Sequence, residues 1–415
     1  MKITDIKTTQ VTIPFAKFGK FTPIKMWYMT RYSNFQKTVT FIITDEGITG
    51  ISCGGDQETI MNKIRPKIIG MDPFDLPHIE RINPANPYDV ITYFSIKEEN
   101  EMKKWGGVTA RRYGFANVAA IDCALWDIIG KKCNQPLYKI WGGKYHDIIN
   151  VRYWLSCDTP ENMSAESIKA LERGWKAFKI KIGTHPDEDL ERVQAIRDAV
   201  GNNIELNFDI NGGYSLSRAM RALKNIIRYD PASIEEPISN SWPWDQHSIE
   251  GMAFLRKVIG VPIEAHCHGP NIEEFVRLLI EKEAADFLHT RPGFAGPVMQ
   301  CKRLIAMADM GGIKATCQSS AAELGPENAY HLHWITSSPE FTGTNDNSTH
   351  LLEPPSWDII NNEFKTINGT LKVPEGPGLG VELDPVKLAQ SEELSKQGKY
   401  SHEKGLGQKD KYYWG

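Results

Sequence analysis

Nowhere in the 415 residues is there a run approaching the roughly 20 consecutive apolar residues of a membrane-spanning helix. The opening MKITDIKTTQVTIPF lacks an apolar stretch of signal-peptide length, so the reading excludes export and insertion and predicts a cytoplasmic protein with no membrane partner. Cysteine is sparse: seven residues, an odd number, none at Cys-x-x-Cys spacing. That argues against a disulfide framework or a zinc finger and predicts reduced thiols. No basic block occurs either. The 48 basic and 52 acidic residues are spread along the chain for a net charge of -4, which removes the footprint of a nucleic-acid binder and leaves a small molecule as the expected partner.

What is present is a globular composition, 41% hydrophobic and 24% charged, in a chain too long for one ordinary core. Polar and apolar residues alternate in ITDIKTTQVTI and KTVTFIITDEGITG, with Asp45-Glu46-Gly47 as a hairpin turn. Ala116, Val118, Ala119, Ile121, Ala124, Leu125, Ile128 and Ile129 then follow a helical period, which predicts an α+β domain over residues 1–144. From residue 148 short apolar strands alternate with helices, the pattern of parallel βα units. The strands are NVRYWLS, AFKIKIG, IELNFDIN, PASIEEP, VPIEAHCH, ADFLHTR, IKATCQSS and, weakly, HLLEPP, so a closed β/α barrel is expected over residues 145–365. Asp187 to Val200 sets Leu190, Val193 and Ile196 on one helix face, and Asn271 is placed to cap a helix running to Ala284. Residues 366–415, rich in Gly and Pro at their start, are expected to return over the first domain.

Reactive side chains of such a barrel sit at the C-terminal strand ends. Strand alternation puts Lys179 and Lys181 on one face, likewise Asp209 and Asn211, and Glu264, His266 and His268, with Cys267 turned away. Two confined lysines repel, which lowers the pKa of at least one and makes a neutral amine available as a base near neutral pH. Their flanks Phe178, Ile180 and Ile182 speak against a surface pair. Asp209 and Glu235, one strand apart, are hard oxygen donors of the kind magnesium prefers.

These pieces, in this order, resemble the enolase superfamily, specifically its mandelate racemase and muconate lactonizing enzyme branches. AIDCALWDIIGKKCNQPLYKIWGG is similar to that family's capping-domain helix and its exit into the barrel, FKIKIG to its Lys-x-Lys motif, and NFDINGGY and SIEEP to its first two metal strands. VPEGPGLGVELD is similar to its closing segment. The resemblance implies an α/β fold: a modified TIM-type barrel under an α+β capping domain that the C-terminal segment completes. It implies a divalent metal, usually magnesium, on the carboxylate of an acid substrate while a base removes the α-proton, in a protein that commonly assembles as a homo-oligomer. Asp209 and Glu235 would be ligands and Lys181 the base, with Lys179 lowering the Lys181 pKa near the substrate carboxylate.

The departures are as informative. VPIEAHCHG carries no acid where the family's third ligand, a fifth-strand carboxylate, is expected. Counting from Pro262 puts His266 there, or Cys267 if the strand is shifted by one, with His268 and Glu264 as nearby alternatives. His266 is favoured because imidazole ligates divalent metals and its parity is inward, which would let manganese or another divalent ion compete with magnesium. Aligned on their glycines, ADFLHTRPGFAGP and GIKATCQSS put Arg291 and Gln318 where the mandelate racemase branch has an Asp and a His; neither is a base near neutral pH. No sixth-strand lysine of the muconate lactonizing branch occurs. Glu353 is the expected eighth-strand acid, and Tyr153 and His289 are candidate general acids. A single base favours elimination or cycloisomerisation over racemisation, which needs proton transfer on both faces. The expected activity is an acid-sugar dehydratase giving a 2-keto-3-deoxy acid, with a cycloisomerase using the same lysine, or a non-catalytic metabolite-binding member, as alternatives. Loops 16–34 and 52–58 are expected to choose the substrate.

Overall fold

Alternation near the N-terminus becomes an antiparallel sheet in the computed structural model. It describes residues 1–14, 24–25, 28–32, 34–75, 114–238, 246–267, 272–319, 323–352, 358–398 and 402–404. The first five strands are β1 (Ile3–Pro14), β2 (Ile24–Lys25), β3 (Tyr28–Tyr32), β4 (Asn34–Thr44) and β5 (Thr49–Cys53), with β1, β4 and β5 paired in that order. Ile6, Val11 and Ile13 of β1 and Val39 and Ile42 of β4 are buried. Helix α1 (Gly114–Cys133) lies so close to this sheet that a Cβ on Gly50 would stand 2.0 Å from the Ala124 carbonyl oxygen, a position only glycine can fill. Inside that contact the buried Asp127 accepts hydrogen bonds from Ile51 N and Leu379 N, both at 3.0 Å, and pairs with Lys131 at 2.6 Å. One carboxylate therefore joins the sheet, the helix and the returning C-terminal segment.

The barrel strands are β6 (Ile149–Leu155), β7 (Ala177–Lys181), β8 (Glu205–Asp209), β9 (Ser233–Glu235), β10 (Ile263–His266), β11 (Phe287–Thr290), β12 (Lys314–Cys317) and β13 (Asn345–Asp346). Seven helices follow the first seven strands: α2 (Pro160–Glu172), α3 (Pro186–Val200), α4 (Leu216–Ile226), α5 (Gln246–Ile259), α6 (Ile272–Glu281), α7 (Val298–Met310) and α8 (Gly325–Thr336). All neighbours from β6 to β12 run parallel, and β13 closes the ring on β6, with Asp346 opposite Arg152. On its other side Asn345 Oδ1 accepts from Cys317 N at 2.8 Å. Alternation sorts the two faces. Phe178, Ile180, Leu206, Phe208, Ile234, Ile263 and Leu288 pack outward against the helices, and the inward positions are polar. The apolar core thus lies between strands and helices, leaving the barrel interior for charge.

Cap and barrel are joined by Asp122 of α1, whose Oδ2 accepts from Val298 N at 2.9 Å and from the Tyr330 hydroxyl. Two further elements complete the chain: β14 (Thr370–Leu371), antiparallel on β6, and α9 (Pro385–Lys396), which packs on β1. A last strand, β15 (His402–Lys404), pairs with β3. All seven cysteines are free and six are buried, and no helix among the described residues is long and apolar enough to cross a membrane.

The expected β/α barrel with its capping domain is what the chain forms, with one element misplaced. HLLEPP is not the eighth strand: Thr349–Leu351 is a 3-10 turn, and the strand is Asn345–Asp346. Its sequence, GTNDNS, has turn composition and no apolar alternation, so only the two flanking strands make it extended. Helix α3 starts at Pro186 behind His185 as its cap, and Leu190 is only partly buried beside the fully buried Val193 and Ile196. Asn271 lies outside the described residues.

Replacing Asp127 by Ala leaves two buried backbone N–H groups without acceptors and should cost about 2–4 kcal/mol, read from the denaturant midpoint. A second expectation concerns acid. Burial lowers the pKa of His333 to about 4, and its neutral ring accepts from Tyr138 N and meets the Leu379 carbonyl. The unfolded chain binds that proton below about pH 6.5, so this stabilisation is full above pH 6.5 and is lost as pH falls toward about 4. His333→Gln should flatten the loss of unfolding free energy between pH 6.5 and 5 by about 1.4 kcal/mol per pH unit.

Candidate active site

Register sets the site. Lys181 of β7 lies beside Asp209 of β8, and Asp209 beside Glu235 of β9, so three strand ends meet at the barrel mouth. The loops that follow are in backbone contact: Gly183 has φ +118°, and a Cβ there would lie 2.3 Å from the Ile210 carbonyl oxygen. Asp189 of α3 fixes the same turn, accepting from Gly183 N at 2.9 Å, Thr184 N at 3.0 Å and the Tyr214 hydroxyl, and pairing with Arg192 at 2.7 Å. Asn211 and Glu236 hold left-handed backbone, φ +49° and +43°, a strained conformation that concentrates at working sites.

The two lysines have different surroundings. Lys181 donates to Asp209 and, at 3.0 Å, to Asn211 Oδ1, with its ammonium 4.6 Å from the centre of the Trp154 ring. Burial, aided by the charge of Lys179 and opposed by Asp209, holds it below the usual lysine range. Lys179 sits among three carboxylates: Glu235 at 2.6 Å, Asp346 at 2.7 Å and Asp209 at 3.1 Å. Burial works against its charge, but Asp346, Glu235 and Asp209 outweigh it and raise its pKa, so Lys179 stays protonated. Asp209 is held low by the two lysines despite its burial. Glu235 is pushed up to about 7, by burial and then by the charge of Asp209.

Further inside, Arg152 grips Glu264 with two bonds of 2.9 Å and Asp346 with a third of 2.6 Å. Against its burial, Arg152 pulls the Glu264 pKa down to about 2. Ser233 donates to Glu264 at 2.6 Å as well, so this carboxylate is committed to the interior network. His289 is also engaged there, with Nδ1 2.8 Å from Thr316 Oγ1 and Nε2 3.2 Å from Asp346.

At the fifth strand, His266 Nδ1 lies 3.8 Å from Glu235 and 3.7 Å from Glu236, whereas Cys267 is buried in the layer behind. One ligand atom from each of Glu235, Glu236 and His266 lies within 4.8 Å of the others, a spacing and donor set that fit a divalent cation accepting imidazole. Asp209 keeps Oδ2 on Lys181 and Lys179 instead, and its Oδ1 accepts from Asn211 N at 2.9 Å. His268 and Glu353 lie outside the described residues.

Arg291 and Gln318 follow the ends of β11 and β12, and both are buried. Arg291 pairs with Glu327 at 2.8 Å and Glu323 at 3.5 Å and stacks on Phe294. Tyr153 is a correction. It faces out of the barrel and donates to Glu166 of α2 at 3.0 Å, so it has no access to the mouth. Trp154, the next residue, is the one that faces in, a placement its parity with Arg152 could have given. Sequence reasoning also missed Asp346 and Asp189, and it placed Glu236 at the end of the fourth barrel strand without giving it a role.

With this geometry in view, two family models match. Residues 9–142 match the mandelate racemase / muconate lactonizing enzyme N-terminal domain, and residues 162–387 match the enolase C-terminal domain-like family. The chain belongs to the enolase superfamily, in its mandelate racemase / muconate lactonizing enzyme family. Among its relatives is N-succinyl-L-Arg/Lys racemase of Bacillus cereus, 29% identical over 406 residues, 94% of this chain and 98% of that one. The crystal structure of that racemase superposes with a TM-score of 0.77, at 26% identity over the same shares of the two chains. Arabinonate dehydratase of Saccharolobus solfataricus is 29% identical over 278 residues, 66% of this chain and 71% of that one. An enolase from Pseudomonas fluorescens with bound magnesium, potassium and tartrate has the same fold, with a TM-score of 0.79 at 20% identity over 97% of this chain and 95% of that one. Family members thus include both racemases and dehydratases.

Asp346→Ala should destabilise the protein by about 3–5 kcal/mol, because Arg152 and Lys179 stay buried with one carboxylate fewer. Urea unfolding checks this, and a cost within error of zero would mean that the network contributes nothing to the fold.

Proposed function

We propose that the protein is a metal-dependent carbon–oxygen lyase that converts an acid sugar into a 2-keto-3-deoxy acid. The observation that carries this reading is an asymmetry across the barrel mouth. Lys181, its pKa lowered by burial, offers an amine on one side, and strands six and seven offer Arg291 and Gln318, neither of which exchanges protons near neutral pH. Lys181 takes the α-proton, the β-carbon–oxygen bond breaks, the departing hydroxyl takes up a proton from the Lys181 ammonium so formed and leaves as water, and the resulting enol becomes the ketone. Lys179 remains charged through its three carboxylates and, beside Lys181, helps to lower the pKa of that amine. Glu235 and His266 would hold a divalent cation, with Glu236 beside them and Asp209 on the adjoining strand. That cation would offset the negative charge that develops on the substrate carboxylate as its α-proton leaves.

A second reading, racemisation of an N-acyl amino acid, is favoured by the extent of the likeness to the Bacillus cereus racemase. It needs a base opposite Lys181. His289, a titratable side chain of the sixth barrel strand, has both ring nitrogens engaged by Thr316 and Asp346.

Lys181→Met should lower solvent-deuterium exchange at the α-carbon by about a hundred- to ten-thousand-fold, and Gln318→Ala should leave it measurable. Exchange of both configurations at comparable rates would replace the lyase by the racemase. Binding of manganese, titrated calorimetrically on the metal-free protein, should exceed that of magnesium and weaken by more than about tenfold in His266→Ala. Unchanged manganese binding in that variant would remove His266 from the ligand set.

A further inference from the structure

We infer that Arg291 and Gln318 form a subsite that reads a hydroxyl, and that the part of the substrate they meet carries no charge: a polyhydroxy monocarboxylate, not a dicarboxylate or an N-succinyl amino acid. The inference rests on the proposal that the mouth beside Lys181 is the substrate site.

His289 and Thr316 meet inside the barrel at 2.8 Å, and Arg291 and Gln318 stand two residues beyond them, just past the ends of β11 and β12. Backbone pairing continues to this level, Gln318 N donating to the Thr290 carbonyl at 2.9 Å. Arg291 is 8% and Gln318 7% exposed. Within them, Arg291 Nε and Gln318 Oε1 are buried and have no hydrogen-bond partner. The other ends are occupied: Gln318 Nε2 donates to the Ser319 carbonyl, and Arg291 Nη1 binds Glu327 and Glu323.

One N–H donor and one carbonyl acceptor on adjacent strands match a hydroxyl, which accepts one hydrogen bond and donates another. A carboxylate donates nothing, so it would set its lone pairs against Gln318 Oε1. Charge gives the same answer independently. Among the described residues, the positive charges of Arg291 and of Lys37, which reaches from the capping strand β4 to Glu327, face the negative charges of Glu327 and Glu323, two against two. His331 Nδ1 lies 3.4 Å from Glu323 and adds no anion. A distal carboxylate would bring a third negative charge into a buried cluster already balanced.

The test is binding, measured by calorimetry with manganese present on the Lys181→Met variant, so that it does not depend on turnover or on which base acts. The probes are a panel of pentonates and hexonates, the matching aldarates, the analogue of the tightest-binding aldonate that lacks its terminal hydroxyl, and N-succinyl-L-arginine. At least one aldonate should bind about tenfold or more tighter than its aldarate and than N-succinyl-L-arginine. Adding Gln318→Leu should weaken that aldonate by about tenfold or more and leave its terminally deoxygenated analogue unchanged. Adding Glu327→Gln, which frees the charge of Arg291, should raise aldarate affinity; this second variant keeps the inference testable if Gln318→Leu does not fold. An aldarate or N-succinyl-L-arginine binding tighter than every aldonate overturns the inference, as does no aldonate binding at all or a Gln318→Leu variant that binds aldonate and deoxy analogue as before. Failure of the lyase reading would appear separately, as α-proton exchange that survives Lys181→Met.

Discussion

Lys179 is the pivot of this molecule. Its ammonium lies within 3.1 Å of carboxylates from β8, β9 and β13, inside a barrel whose outward layer is apolar. A buried ammonium is stable only with such company. Because the three carboxylates keep it charged, the neighbouring Lys181, which has fewer anions around it, is the lysine whose proton is loosened. Because one of the three is Asp346, the same contact also draws the two-residue strand β13 into the ring, where Arg152 takes the other oxygen of that carboxylate. Closing the barrel and dividing the roles of the two lysines are thus one electrostatic arrangement.

The capping domain is held by the same device in smaller form. Asp127 gathers two backbone N–H groups from segments far apart in the chain, and Asp122 gathers a helix N-terminus and a tyrosine from the barrel. Lys37 reaches across to Glu327, which also holds Arg291 at the barrel mouth. The cap therefore contributes a charge to the site through a carboxylate that it shares with a strand-six residue.

Much of this is legible in the sequence. Alternation in AFKIKIG and IELNFDIN separates inward polar from outward apolar residues, and Phe178, Ile180, Leu206 and Phe208 do fill the outer layer. The parity argument that paired Lys179 with Lys181, applied to NVRYWLS, would have turned Tyr153 away and brought Trp154 in. Asp346 was not legible, because Asn-Asp-Asn-Ser carries no strand period and becomes extended only between β12 and β6. The role of Arg291 was hidden for a different reason: which carboxylates neutralise it depends on a helix that begins more than thirty residues later and on a lysine of the cap.

The sequence by itself determined the family, the parallel βα order and the residues at the ends of the first seven barrel strands, because side-chain alternation and turn chemistry act over a few neighbouring residues. Tertiary structure decided which charges meet. Arg152 and Asp346 are 194 residues apart, Lys179 and Asp346 are 167, and Arg152 and Glu264 are 112. Coulomb interaction in a buried interior depends on distance in space and on the loss of water, and neither is written in local sequence until the strands close into a ring.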